Sequence, residues 1–105
     1  MTKYSFLIAS SDPKIREMAR EAISEEGHEP ILCGDGEEAL ESAQSPKPFP
    51  IRLLVLEAFL PKSDGFEVVR ILSEIPQTKD VPTLMILNPK NTIYSIKRLM
   101  GRKFS

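Results

Sequence analysis

Residues 53–67 read LLVLEAFLPKSDGFE, and the folding of this stretch sets the frame for the rest of the chain. Leu53 to Leu56 are apolar without interruption, as a strand covered on both faces requires. The run ends in one acid, Glu57. Pro61 follows, and then Ser63-Asp64-Gly65, a turn signal that opens a new segment. Strand, turn and helix start in that order are half of a parallel crossover unit. Glu57 then stands at the carboxyl end of its strand, where open parallel sheets bind ligands.

The same alternation continues outward on both sides. Residues 4–9, YSFLIA, read as a strand. SDPKIREMAREAISEEG (11–27) reads as a helix with Asp12 as cap, Pro13 in first position and Gly27 as stop. Ile15, Met18, Ala19, Ala22 and Ile23 share one face of it. PILC (30–33) is a short strand that Pro30 places at an edge. Asp35 heads DGEEALESA (35–43), with Glu38 in capping-box position. SPKPFP (45–50) is a loop before the strand RLLVLEA (52–58). Downstream, a helix from Asp64-Gly65 carries Phe66, Val69, Leu72 and Ile75. Then come the strand VPTLMIL (81–87) and the last helix NTIYSIKRLM (91–100), with Asn91 as cap and Gly101 as stop; RKFS is left over. Four strands alternate with four helices, the pattern of an α/β chain with a parallel sheet. Residues at three strand ends should converge on one crevice: Ser10, Ser11 and Asp12; Glu57 to Phe59; and Leu87-Asn88.

A length of 105 residues fits one domain, and 41% hydrophobic with 28% charged residues is ordinary for a globular protein. The net charge of -1 gives no bulk attraction for nucleic acid. From Asn88 onward, Lys90, Lys97, Arg98, Arg102 and Lys103 stand without an acid, a net of +5 against -6 for the rest. Favourable charge at a helix C-terminus accounts for that cluster. A nucleic-acid patch would need interleaved aromatics or a reader motif. The lone Cys33 can form no internal disulfide, which suits a reducing cytosol. With no signal-peptide pattern and no apolar run of about 18 residues, the expected location is cytoplasmic, away from membranes.

At this point the chain resembles the response-regulator receiver family of two-component signalling. Receivers read ILIVDDEPxIR at strand one, where this chain has FLIASSDPKIR (6–16). They read LVLLDxxMPxxDGxE at strand three, where it has LLVLEAFLPKSDGFE. At strand four they read PVIxLTA, where it has PTLMILN (82–88). The resemblance covers the whole chain. It implies a flavodoxin-like, doubly wound, three-layer αβα fold with strand order 2-1-3-4, the fifth strand and fifth helix missing. Residues 1–105 are then a single receiver-like domain, incomplete at its C-terminus.

In that family an acid at the end of strand three accepts a phosphoryl group, and an acidic pair after strand one holds Mg²⁺. A hydroxyl after strand four and a lysine from strand five stabilise the phosphoryl oxygens. This chain departs at each position. The acidic pair is Ser10-Ser11, and neutral hydroxyls are poor partners for Mg²⁺. The acceptor is Glu57, one methylene longer, and in-line transfer tolerates little misplacement. The hydroxyl position is Leu87, which cannot donate a hydrogen bond. The lysine would lie beyond Ser105. Asp12 reads as a helix cap, with metal binding as the alternative. Glu57 reads either as a solvated carboxylate at a strand end or as a fixed stand-in for a phosphorylated one.

The expected function is therefore a degenerate pseudo-receiver, not an enzyme, with no catalytic residue, metal or cofactor. It works in a two-component phosphorelay by phosphorylation-independent protein contact. The alternative is a phosphoaccepting receiver that uses Glu57 with Mg²⁺. The expected contact surface comprises Phe59, Leu60, Leu84, Ile86, Tyr94 and Arg98. Without a fifth strand and helix, the strand-four edge and part of the first helix's apolar face stay uncovered, which implies a protein partner or a homodimer through that edge and the last helix. His28 reads as an isolated surface side chain and Cys33 as a small core residue.

Overall fold

The computed structural model describes residues 2–101. Arg102, Lys103 and the residues after Gly101 that bear on its role as a stop lie outside this range. The elements in order are β1 (Ser5–Ala9), α1 (Pro13–Glu25), β2 (Glu29–Cys33), α2 (Gly36–Gln44), β3 (Ile51–Glu57), α3 (Gly65–Leu72), β4 (Thr83–Ile86) and α4 (Thr92–Gly101), with a 3₁₀ turn at Pro89–Asn91. The strands lie parallel in the order β2-β1-β3-β4, the flavodoxin-like arrangement expected. Among the described residues no helix is long and apolar enough to cross a membrane.

Local chemistry starts and stops the helices as the sequence implies. The Asp12, Asp35 and Asp64 carboxylates accept from the backbone N–H groups of Lys14, Glu38 and Glu67, capping α1, α2 and α3. The Glu38 carboxylate reaches back to the N–H of Gly34 at 2.7 Å, a capping box extended by one residue. After α1, Gly27 takes φ 79° and the His28 N–H returns to the Ile23 carbonyl, a Schellman stop. One cap differs from expectation. Asn88, not Asn91, accepts from Lys90 N–H and caps the 3₁₀ turn that leads into α4.

Topology then decides which helix covers which face. The chain moves one way from β1 to β2 and the other way from β2 to β3 and β3 to β4. Right-handed crossovers therefore put α1 on one face and α2 with α3 on the other. One core gathers Leu7, Ala9, Leu54 and Leu56 of the strands with Ala39 and Ala43 of α2 and Val68 and Leu72 of α3. The opposite core gathers Phe6, Ile8, Val55 and Ile86 with Ala19, Ala22 and Ile23 of α1, and with Ile96 of α4. So α4 packs beside α1 and completes the face that α1 alone would leave half covered. The expectation that α1 keeps an open apolar face is overturned on this point, although Met18 remains 42% exposed.

The α3 stripe also needs correction. Val68 and Leu72 are its buried residues, whereas Phe66 is 55% exposed and Ile75 lies past the helix end. Gly65 fixes that rotation. A Cβ there would meet the Glu57 carbonyl oxygen at 2.4 Å, so α3 begins with its backbone against the end of β3. Positions three and seven residues on then face the sheet.

Candidate functional site

β3 carries Glu57 to the carboxyl edge, in register with Ile86 of β4. Its carboxylate is not solvated. Glu57 is 2% exposed, and its Oε2 accepts a 2.9 Å hydrogen bond from the Thr92 hydroxyl at the first residue of α4. Thr92 is itself fully buried. A buried carboxylate without partners would be expensive, so this bond, made across 35 positions of sequence, stabilises the site. The reading of Glu57 as a solvated carboxylate is therefore corrected.

The strand-one residues are equally engaged. Ser10 is fully buried; its hydroxyl accepts from the Asp12 N–H at 3.2 Å and its N–H donates to the Cys33 carbonyl. The Arg16 guanidinium donates to the Ser10 carbonyl at 2.7 Å. Gly34 leaves room for it, since a Cβ there would lie 3.3 Å from Arg16 Nη1. Ser11 and Asp12 are exposed, and Asp12 spends its carboxylate on the α1 cap. Leu87 is 63% exposed and offers no donor.

Mg²⁺ needs about six hard oxygens in near-ideal octahedral geometry. Here the Ser10 hydroxyl and carbonyl and one oxygen each of Asp12 and Glu57 already accept hydrogen bonds, and Arg16 brings a positive charge to the same carbonyl. Among the described residues no group of three or more His, Cys, Asp or Glu is placed to hold a metal ion. The donor set does not fit the ion.

The expected contact residues divide. Phe59 (74%) and Tyr94 (66%) are exposed, as is Arg98, and Leu84 is half-buried. Leu60 and Ile86 are buried in the two cores and cannot be presented, which corrects their place in that set. His28 is not an isolated surface group either. It is half-buried, its ring stacks on Phe6 with centroids 5.0 Å apart, and Nδ1 accepts from the Tyr4 N–H at 3.2 Å. Cys33 is a buried core residue as expected.

No sequence pattern marks Thr92 or Arg16 as a site residue. Arg16 sits in the strand-one motif, four residues past the Asp12 cap. Thr92 could have been reached only by asking which helix fills the α1 face.

No protein-family model matches the chain. It is 38% identical over 82 residues to Response regulator RR06 of Streptococcus pneumoniae serotype 2, covering 78% of this chain and 35% of that protein. It is 35% identical over 80 residues to the alkaline phosphatase synthesis transcriptional regulatory protein PhoP of Bacillus subtilis, covering 76% and 31%. The chain thus spans about a third of the length of the curated relatives it matches. In fold it is similar to the chemotaxis response regulator CheY4 of Vibrio cholerae, with a TM-score of 0.74, 25% identity, and coverage of 95% of this chain and 82% of that one.

Proposed function

We propose, with the response regulators among its sequence relatives and fold neighbours as support, that this chain is a receiver-like module of a two-component system that signals by protein contact, without phosphoryl transfer to Glu57. The observation that carries this reading is the state of the Glu57 carboxylate: 2% exposed and bonded to Thr92. A nucleophilic oxygen must reach its donor in line, and a misplacement of about 1 Å costs about a hundredfold. The serines at the acid-pair positions and Leu87 at the hydroxyl position point the same way.

On this reading the module needs no Mg²⁺ or other cofactor and meets a cytoplasmic protein partner through Phe59 and the outer face of α4, where Tyr94, Lys97 and Arg98 are exposed. Nucleic acid is not its ligand. A second copy is a further partner, through the edge of β4.

Incubation with Mg²⁺ and a small phosphodonor tests the proposal. Intact mass should stay unchanged, whereas a gain of about 80 Da mapped by peptide analysis to Glu57 would establish the phosphoaccepting alternative.

A further inference from the structure

We propose that Glu57 and Thr92 form a buried tie that holds α4 over the α1 face of the sheet, with Thr92 as the positioning residue for the α4 surface. Near the start of that helix, half-buried Ile93 packs on the α1-side core and Asn88 caps the preceding 3₁₀ turn, but neither bonds to the end of β3. The connection from β4, Leu87 to Asn91, is exposed throughout. Among the described side chains of α4, only Thr92 and Ile96 are buried. They stand four apart on one face. Ile96 packs with Ile23 and Ala19 of α1, an apolar contact with no preferred direction. Thr92 adds what the apolar contact lacks, a directional bond at a defined point above β3.

Three features suit residue 57 to that task. Its charge lies at the N-terminal end of α4, where the helix dipole favours an anion. Burial makes the bond strong and its loss costly, since a carboxylate would be left short of a partner. Side-chain length matters as well. Shortening Glu57 to Asp draws the carboxylate back by about 1.5 Å, a C–C bond length, which would open a 2.9 Å contact beyond hydrogen-bonding range. The extra methylene that spoils phosphoryl transfer is thus what lets residue 57 reach α4. The tie stands on geometry alone. Its consequence for partner docking, that Tyr94, Lys97 and Arg98 are offered in one fixed arrangement, rests on the function proposed above.

Amide hydrogen exchange, read by mass spectrometry on the free protein, tests the tie. Thr92→Val and Glu57→Asp should each speed exchange across residues 92–99 by about tenfold or more, while β1 and β3 stay protected. Thr92→Ser keeps the hydroxyl and should match the parent chain. Unchanged exchange in Thr92→Val and Glu57→Asp, or Thr92→Ser exchanging as fast as Thr92→Val, would overturn the proposal. So would protection lost equally in every element of both disruptive variants. No phosphodonor or partner is present, so failure here leaves the mass test untouched, and a phosphorylated Glu57 would not by itself alter the exchange result.

Discussion

Cys33 shows how a single position follows from the sheet around it. It ends β2 with no exposure, and burial pushes its thiol from 9.0 up to about 11. The folded state therefore favours the neutral thiol more than the unfolded chain does. That contribution is fully present below about pH 9 and is lost as the pH rises through about 11. Unfolding free energies from urea titrations, measured from neutral to strongly alkaline pH, should fall more steeply for the parent chain than for Cys33→Ala over this window, by about 3 kcal/mol in all; parallel curves would refute it. The core role of Cys33 was legible because one thiol in an apolar strand has few alternatives. Glu57 was legible only in part. The end of an apolar run locates the acid, but its partner depends on a helix that begins 35 residues later, and no local pattern carries that information. In the sequence Asp64-Gly65 signals only a turn that opens a helix. The actual need for Gly65 is steric, since the Glu57 carbonyl leaves no space for a side chain.

Among the elements, α3 separates pattern from packing. Phe66, Val69 and Leu72 form a plausible apolar stripe, and so do Val68 and Leu72. Periodicity alone cannot choose between two stripes on a helix of eight residues. The backbone contact at Gly65 chooses, turning Val68 and Leu72 inward and Phe66 outward. Truncating each residue in turn checks this rotation. Leu72→Ala should lose about 2–5 kcal/mol in chemical denaturation through the cavity it leaves, whereas Phe66→Ala should stay within about 1 kcal/mol. Equal losses would mean that α3 sits rotated from the position described. Caps are more legible in sequence than faces, because Asp12, Asp35 and Asp64 act within a few residues of themselves.

At the scale of the whole fold, two helices cover each face of the sheet among the described residues, and this arrangement bears on self-association. The parallel sheet was legible from the alternation of elements and its strand order from the receiver resemblance, but the placement of α4 was not, because it depends on the face that right-handed crossovers leave half covered. With α4 filling that face, the two sheet edges remain: β2, where Pro30 limits pairing, and the outer edge of β4. The Pro82 and Ile86 carbonyls accept from the N–H groups of Leu54 in β3 and of Ala58 just past its end. Period-two alternation then turns the backbone N–H of Met85 away from β3, toward a neighbouring chain. Proline lacks that donor but is tolerated on an edge strand where the N–H faces outward. Met85→Pro should therefore leave the circular dichroism spectrum native while converting a concentration-dependent dimer to a monomer in light scattering. A parent chain that stays monomeric at high concentration would remove edge pairing altogether. A Met85→Pro variant that still dimerises would move the interface to the exposed Lys97 and Arg98 side of α4, where Coulomb attraction to the acidic Glu17 and Glu21 of a second α1 would weaken with added salt.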